Sequence, residues 1–339
     1  MPDTKSDKPA TDRKPIEHSA LRVVFMGTPD FAVPSLNALV AAGIRPVAVV
    51  TGPDKPRGRG QKLSPTAVKQ AALDLGIDTI LQPEDVKAPE FAISIEALKA
   101  DIIVVVAFRI LPQAVFEAAS IGTFNLHGSL LPRYRGAAPI NRAIMAGDTE
   151  TGVTTFLLQQ KVDTGNVLIK RSMSIGPNET AGEVHDRMME LGAGAVLDTV
   201  LLLASGSFEP IPQDNNLATG APKIFKEDGL IDFSLSASRV HDHIRGLSPY
   251  PGAYTFLDGV QLKVLESRVS SPVLDAFSLA DSESVDLGEV VQSDGALIVS
   301  CGSGLIELKT IQLAGKRAMP VADYLRGSSI PLGTILGNK

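Results

Sequence analysis

Residues 102–107 read Ile-Ile-Val-Val-Val-Ala, and this run limits the fold of the chain more than any other feature. Every side chain in it is apolar, so a strand built from it needs cover on both faces, as the central strand of a parallel sheet does. Around it, apolar strand patterns alternate with helix patterns. The strand patterns lie at 22–26, 46–51, 123–127 and 152–158, and the helix patterns lie near 34–42, 64–75, 90–100 and 139–146. This alternation predicts an α/β, Rossmann-like domain with a mostly parallel sheet.

Two helix starts are marked by capping residues. Ser64 and Pro65 suit the N-cap and the first position of a helix. Thr180 and Glu183 resemble a capping box, in which each side chain bonds the backbone N–H of the other residue. We therefore expect one helix to begin at residue 64 and another to begin at residue 180.

The pattern changes after residue 206. Residues 206–222 contain three prolines, two adjacent asparagines and little periodicity, which is typical of a linker. Beyond it, one helix pattern near 238–245 precedes short β-like segments separated by Gly and Asp, as in a small OB-like β-barrel. The expected organisation is a disordered tail over 1–20, a catalytic domain over 21–206, a linker over 207–222 and a C-terminal β-barrel domain over 223–339.

The composition excludes several classes of protein. The chain has one cysteine, Cys301, which rules out an intramolecular disulfide framework and a multi-thiolate metal site. Its net charge of −6 provides no overall basic field for nucleic-acid binding. Residues 1–20 lack the apolar core of a secretory signal, and the longest apolar run is too short to cross a bilayer. We expect a cytoplasmic protein without a membrane partner, and the histidine spacings predict no metal site.

A polar cluster follows one of the predicted strands. Asn125 and His127 are two residues apart, so an extended backbone points both side chains to the same side. Asp163 follows one more strand. An amide, an imidazole and a carboxylate suffice for metal-free acyl transfer, as oxyanion donor, proton carrier and orienting group. An Asn-x-His pair is more often part of an ordinary turn, but polar segments after apolar strands are where open α/β sheets bind ligands.

Residues 54–69 are locally basic, with one acidic residue among five basic ones. A solvated loop is the usual explanation of such a cluster. The alternative is a finger that contacts a phosphate backbone and displaces counterions. Arg109, after the central strand, likewise has two interpretations: it lies in solvent, or it helps to shape a pocket for a planar heterocycle.

Taken together, the motifs resemble the folate-dependent formyltransferases. The likeness rests on Asn-Leu-His-Gly-Ser-Leu-Leu-Pro at 125–132, Arg-Tyr-Arg-Gly-Ala-Ala-Pro at 133–139 and Asp-Thr-Gly at 163–165. The basic stretch 53–63 and the segment 244–252 resemble the members of that family that act on methionyl-tRNA. This resemblance implies that 10-formyltetrahydrofolate donates a formyl group to the α-amine of methionyl-initiator tRNA, for translation initiation. We also expect a monomeric enzyme that needs no metal.

The resemblance assigns roles to individual positions. Asn125, His127 and Asp163 match the catalytic positions of the family. The positions that match its folate-contacting segments are Phe108, Arg109, Ile110, Leu111, Ser129, Leu130, Leu131 and Pro132. The positions that match its tRNA-contacting loop are Lys55, Arg57, Arg59 and Lys62.

Two other functions compete with this one. The first is a formyltransferase that acts on a nucleotide sugar or a purine precursor, which the basic loop and the predicted barrel disfavour. The second is a catalytically silent RNA-binding module, which the complete set of amide, imidazole and carboxylate disfavours.

Overall fold

The structure is a computed structural model, and it describes residues 15–17, 20–57, 62–270 and 285–337. Most of the expected tail over 1–20, and Arg59 of the basic loop, lie outside the described residues. The chain forms two compact units. The first unit comprises 1–136, 152–173 and 186–221, and the second unit comprises 137–151, 174–185 and 222–339. The expected boundaries at 206 and 222 stay a prediction.

A seven-stranded sheet organises the first unit. The strands up to residue 221 are β1 (Val23–Gly27), β2 (Ala48–Val50), β3 (Lys55–Arg57), β4 (Lys62–Ser64), β5 (Ile80–Leu81), β6 (Ile102–Val106), β7 (Gly122–His127), β8 (Arg135–Gly136), β9 (Glu150–Leu157), β10 (Val167–Ser174) and β11 (Gly220–Ala221). The sheet order is β10-β9-β7-β6-β1-β2-β5. All pairs from β5 to β7 are parallel, whereas β7 and β9 are antiparallel. The prediction of a mostly parallel sheet is confirmed.

The central strand explains why the sheet forms. All five residues of β6 are buried between β1 and β7. Helices cover the sheet, and the apolar residues Phe91 and Ile95 pack in one core cluster with Ile103 and Val105 of β6. The helices of the chain are α1 (Val33–Ala41), α2 (Ala67–Asp74), α3 (Pro89–Ala97), α4 (Gln113–Phe116), α5 (Pro139–Met145), α6 (Ala181–Ala204), α7 (Ala237–Leu247) and α8 (Val321–Gly327). Among the described residues, no helix combines the length and the apolar content needed to cross a membrane.

The two expected helix starts have different outcomes. The capping box is confirmed, because the Thr180 N–H donates to Glu183 Oε2 at 2.8 Å and the Glu183 N–H donates to Thr180 Oγ1 at 3.3 Å. Hydrogen bonds from the backbone and side chain of Thr180 lower the pKa of Glu183. The expected cap at Ser64 is wrong, because Ser64 pairs with Lys55 in the hairpin of β3 and β4. The cap of α2 is Thr66, whose hydroxyl accepts the Lys69 N–H at 3.0 Å.

A curled antiparallel sheet organises the second unit. Its strands are β12 (Ala253–Leu257), β13 (Val260–Val269), β14 (Val290–Gln292), β15 (Leu297–Ser300), β16 (Leu305–Leu313) and β17 (Met319–Pro320). The order is β12-β13-β16-β15-β14, and β17 pairs with β16. Register shifts between β13 and β16 near Glu266 mark bulges, which bend strands. The predicted C-terminal β-barrel is confirmed as a curled half-barrel.

Helix α7 fills the concave side of that sheet. Val240, Ile244 and Leu247 of α7 belong to one buried cluster with the strand residues Leu262 and Ile306. The polar face of α7 is also buried in part, because Arg245 and His241 are each 5% exposed. The second unit therefore contains buried polar groups that must find partners within it.

Candidate active site

The carboxyl end of β7 presents the amide and the imidazole. Asn125 is paired with Val105 of β6, and His127 is paired with Thr154 of β9. Because residues two apart share a face of a strand, Asn125 and His127 point to the same side. Leu126 points to the other side, where a Cβ on Gly192 of α6 would approach its side chain to 2.7 Å. The helix therefore covers one face of β7 and leaves the polar pair on the opposite face.

The imidazole of His127 is held by its own loop. His127 is 6% exposed, and its Nε2 lies 2.8 Å from the carbonyl oxygen of Tyr134. A carbonyl only accepts hydrogen bonds, so Nε2 carries a proton and donates it to this bond. Nδ1 faces Oδ2 of Asp163 at 3.8 Å. This distance exceeds a hydrogen bond and leaves room for Nδ1 to engage another polar atom.

The turn that carries Asp163 depends on two glycines, one that bonds the carboxylate and one that fits the backbone. The Gly136 N–H donates to Asp163 Oδ2 at 2.9 Å. Asp163 has a φ of +55°, a left-handed conformation that Asp tolerates better than most residues. A Cβ on Gly165 would collide with the carbonyl oxygen of Leu157, so only glycine fits there. The Asp-Thr-Gly sequence thus supplies both special backbone requirements of this turn.

The segment after His127 is shaped by a threonine on β9. Thr154 Oγ1 donates to the Ser129 carbonyl at 2.7 Å and accepts the Leu131 N–H at 3.0 Å. The Ser129 hydroxyl donates to the Arg133 carbonyl at 2.6 Å. Leu131 is fully buried. Of the predicted folate segment, Ser129 and Leu131 therefore shape the loop, whereas Leu130 and Pro132 lie at intermediate exposure.

A second loop begins where β6 ends. Because β6 and β7 are parallel neighbours, residues 107–111 follow the same edge of the sheet as residues 128–132. Arg109 donates to the carbonyls of Pro83 at 2.7 Å and Glu84 at 2.8 Å, and its guanidinium lies 5.2 Å from the centre of the Phe108 ring. The structure therefore places the Arg109 guanidinium on another loop of the first unit rather than in open solvent. Ile110 is 71% exposed, and Leu111 is buried.

The amide of Asn125 is available to a ligand. In the part of the chain that the structure describes, no hydrogen bond involves the Asn125 side chain. The same described residues contain no group of three or more His, Cys, Asp or Glu side chains arranged to hold a metal ion. The chemistry that the site offers is therefore that of a free amide donor, a protonatable imidazole nitrogen and a fixed carboxylate.

The basic segment is a hairpin with an anchored base. Strands β3 and β4 pair antiparallel, from Lys55 opposite Ser64 to Arg57 opposite Lys62. At the base, Lys69 Nζ donates to Asp54 Oδ2 and to Gln82 Oε1, each at 2.7 Å. Hydrogen bonds from Lys69 and Gln82 lower the pKa of Asp54. Lys69 is therefore an anchor, and Lys55 is exposed on the hairpin.

Three residues of the site escape prediction from the sequence. Thr154 holds the loop after β7, Thr219 Oγ1 accepts the Tyr134 N–H at 2.8 Å, and Gln213 contacts the turn at Asp163. Thr154 carries one sequence signal, a hydroxyl within an otherwise buried strand beside the candidate histidine. Gln213 and Thr219 carry none, because they lie in a segment without periodicity.

Family models match most of the chain. One described as formyl transferase matches residues 21–200, and one described as formyl transferase, C-terminal domain, matches residues 223–329. The methionyl-tRNA formyltransferase of Chlorobium luteolum is 49% identical over 310 residues, which is 91% of this chain and 96% of that protein. The methionyl-tRNA formyltransferase of Geobacter sulfurreducens is 44% identical over 321 residues, which is 94% of this chain and 98% of that protein.

Solved structures share the fold. A Helicobacter canadensis N-formyltransferase in complex with folinic acid and dTDP-3-aminofucose superposes with a TM-score of 0.64 at 18% identity, covering 85% of this chain and 98% of that one. The methionyl-tRNA formyltransferase from Clostridium thermocellum superposes with a TM-score of 0.51 at 16% identity, covering 74% of this chain and 94% of that one. At these identities the likeness concerns the fold alone.

Proposed function

The chain belongs to the formyltransferase family, and on that premise we propose that it transfers a formyl group from 10-formyltetrahydrofolate to the α-amine of methionyl-initiator tRNA. The products are N-formylmethionyl-tRNA, used in translation initiation, and tetrahydrofolate. The observation that carries the proposal is the approach of His127 Nδ1 to Asp163 at 3.8 Å beside the free amide of Asn125. It occurs in a chain that matches methionyl-tRNA formyltransferases over more than nine tenths of its length.

The proposed reaction is direct transfer. The neutral amine of the methionyl ester attacks the formyl carbon and forms a C–N bond, and the carbonyl oxygen becomes a tetrahedral oxyanion. The bond between that carbon and N10 of the folate then breaks. The amine loses a proton and N10 gains one, so charge and atoms balance.

The three polar groups divide this work. The Asn125 amide donates a hydrogen bond to the oxyanion, an interaction whose removal typically costs about 100- to 1000-fold in rate. His127, fixed through Nε2, uses Nδ1 to donate to the oxyanion and to carry the proton. Asp163 lies beside Nδ1 of His127, accepts a hydrogen bond from a water there and orients the imidazole. Proton handling of this kind is worth roughly 100- to 10,000-fold.

The folate is proposed to lie against the two loops at the carboxyl ends of β6 and β7. Residues 108–111 and 129–132 follow adjacent parallel strands, and open α/β sheets bind ligands at that edge. The exposed side chain of Ile110 provides apolar surface for a planar ring. Arg109, bonded to the loop at Pro83 and Glu84, keeps this wall in place.

The tRNA is proposed to contact the basic hairpin. Lys55, Arg57 and Lys62 lie on its two strands, and Arg59, which comes between them in the sequence, is outside the described residues. Basic side chains on such a finger displace counterions from a phosphate backbone, which gives affinity without a globally basic protein.

The test is a formyl-transfer assay with labelled 10-formyltetrahydrofolate and three acceptors. We expect label in methionyl-initiator tRNA, less in methionyl-elongator tRNA and none in a dTDP-amino sugar. Label in the sugar alone would establish a different formyltransferase. Binding of tRNA without labelling of the amine would identify an RNA-binding protein without this activity.

We further propose that the enzyme acts as a monomer in the cytoplasm. Sedimentation equilibrium across a range of concentrations tests the first point by the mass it returns. Fractionation of cells that express the chain tests the second.

A further inference from the structure

Gln213 is fully engaged with the turn that carries Asp163. Its Nε2 donates to the carbonyl of Asp163 at 3.0 Å and to the carbonyl of Gly165 at 2.8 Å. Both protons of one amide group thus hold the two ends of the same three-residue turn. No other residue type of that length places two donors and one acceptor in the same plane.

The acceptor side of Gln213 is held in turn by Arg135. Gln213 Oε1 accepts from Arg135 Nε at 3.1 Å and from Arg135 Nη2 at 2.7 Å. Arg135 is adjacent to Gly136, whose N–H bonds the Asp163 carboxylate. The arginine, the glutamine and the aspartate therefore form a closed loop of hydrogen bonds around the carboxylate.

The segment that contains Gln213 is itself fixed to the first unit. The Val167 and Ile211 backbones exchange two hydrogen bonds of 2.8 Å, and β11 pairs with β8 at Gly136. A Cβ on Gly136 would approach the Ala221 carbonyl oxygen to 2.5 Å. Gln213 thus acts from a fixed base, so its amide can set the position of a turn.

The turn needs such a restraint. Asp163 adopts a left-handed φ of +55°, which is less favourable than the ordinary regions for any residue with a side chain. Its neighbours Lys161 and Val162 are exposed and contribute no core packing. Without external hydrogen bonds the turn gains little from staying in the conformation that points its carboxylate at His127.

We propose that Gln213 is a positioning residue for Asp163, acting through the backbone of the turn rather than by contact with substrate. The proposal rests on the proposed function, since it assumes that the Asp163 carboxylate serves the transfer. A catalytic group displaced by about 1 Å can lose about 100-fold in rate. We therefore expect loss of the Gln213 donors to lower kcat and to leave both KM values nearly unchanged.

The deciding variant is Gln213→Glu. It keeps the shape of the side chain and an acceptor for Arg135, and it replaces the two N–H donors with an oxygen that repels the two carbonyls. We expect kcat to fall by up to about 100-fold, with the KM for folate and the KM for tRNA each within about twofold. A residue that merely fills space would tolerate this isosteric change.

The matched control is Asn215→Ala. Asn215 Oδ1 also accepts from Arg135 Nη2, at 2.9 Å, but forms no described hydrogen bond with the turn at Asp163. We expect this variant to keep wild-type kcat. Thermal unfolding of both variants shows whether each remains folded at the assay temperature, and Gln213→Ala provides a second variant without a new charge.

A double-mutant cycle with Asp163→Asn separates the possible failures. If Gln213 works through the carboxylate, Gln213→Glu adds little to the loss already caused by Asp163→Asn in single-turnover rates. Wild-type kcat in Gln213→Glu, with a slow Asp163→Asn enzyme, would overturn this inference and leave the proposed function standing. Wild-type kcat in Asp163→Asn would overturn this inference together with the role given to the Asp163 carboxylate, whereas only the absence of transfer by the wild-type chain would overturn the proposed function. A raised KM with unchanged kcat in Gln213→Glu would also overturn the inference.

Discussion

His127 in the first unit and His241 in the second are both buried, and both bond a main-chain carbonyl. His241 Nε2 donates to the Pro177 carbonyl at 3.0 Å, and its Nδ1 accepts from Ser267 Oγ at 2.9 Å. His127 Nε2 has the same kind of carbonyl partner, but Nδ1 faces a carboxylate 3.8 Å away. An imidazole whose two nitrogens are both satisfied is part of the scaffold. An imidazole with one nitrogen left open beside a fixed carboxylate can move a proton.

The surroundings of the buried histidines in the second unit disfavour a positive charge on the imidazole. Arg245 lies near His241, and desolvation by burial, with that positive charge, lowers the pKa of His241. His243, on the same helix, has a lowered pKa for the same main reason, desolvation by burial. Burial therefore favours the neutral forms of His241 and His243, which suits packing and removes them from proton transfer near neutral pH.

Replacing the two histidines one at a time separates the catalytic role proposed for His127 from the packing role of His241. We expect His127→Ala to lower kcat by about 100- to 10,000-fold, because it removes the proton carrier, and to keep folate affinity. His241→Gln should keep wild-type kcat in its folded fraction. Measurement of kcat, with folate affinity from fluorescence quenching, checks both. Wild-type transfer by His127→Ala would exclude the imidazole from the mechanism.

Removing the amide of Asn125 is expected to cause the next largest loss of kcat. Asn125→Ala should lower kcat by about 100- to 1000-fold, because one donor to the oxyanion is lost. Asn141 of α5 donates to the Gly246 carbonyl within the second unit at 2.8 Å, so Asn141→Ala is a matched control that should change stability rather than chemistry. Equal kcat losses in the two variants would show that the amide of Asn125 has no special part in transfer.

Substitutions in the basic hairpin show whether tRNA binding can be weakened without a change in the rate of formyl transfer. Changing Lys55, Arg57, Arg59 and Lys62 to Gln should raise the KM for tRNA and flatten its salt dependence, by about 0.7 to 0.9 in the log–log slope for each phosphate that is no longer neutralised. Lys99→Gln is the control, since exposed Lys99 precedes β6 at the opposite edge of the sheet. A salt titration of tRNA binding decides. An unchanged slope would mean that the hairpin is an ordinary solvated surface.

The smallest effect concerns the pH dependence of stability. The folded second unit lowers the pKa of His241 and His243 below the ordinary value of 6.5, so the unfolded chain binds more protons than the folded one in that range. Stability is fully present above pH 6.5 and falls as pH drops below it. Urea unfolding at several pH values measures this, and His241→Gln should weaken the dependence.

The thiol of Cys301 reports on the same region. It is buried in the core of the second unit, and burial raises its pKa to about 12. A thiol reagent should therefore label it only when that unit opens, and the labelling rate divided by that of the unfolded chain at the same pH should rise as stability falls at low pH. A ratio that does not change with pH would contradict the assignment of the buried histidines as the acid-sensitive groups.

Periodicity and strand character are sufficient to predict five of the seven strands of the first unit's sheet, and they miss the two edge strands, β5 and β10. The apolar run at 102–107 predicts a central strand, and the spacing of Asn125 and His127 predicts a shared face, because both follow from local geometry. The sequence pattern predicts a loop where β3 and β4 form a hairpin. Each of these strands has only three residues, and the Gly and Pro residues in the segment are more typical of a loop. That pairing also moves the helix cap from Ser64 to Thr66.

The remainder of the site could not be predicted because it depends on side chains that bond distant backbone. Thr154, Gln213 and Thr219 each hold a carbonyl or an N–H more than twenty residues away. Such hydrogen-bond partners are brought together by the tertiary fold, so the local sequence around each residue does not reveal them. The one clue available is composition: a threonine inside a buried strand needs a partner for its hydroxyl.

The pairing of β11 with β8 has a consequence for how the protein is made. All strands of the seven-stranded sheet have been synthesised once the ribosome reaches residue 174. The chain must continue to residue 221 before Gln213 can bond the turn at Asp163 and before Thr219 and Ala221 can bond the loop after β7. A nascent chain, or a fragment that ends at residue 205, would contain Asn125, His127 and Asp163, the three proposed catalytic side chains, and would lack the hydrogen bonds from Gln213 and Thr219. If these bonds position the proposed catalytic groups, activity is gained only in about the last third of translation, after the core strands are complete.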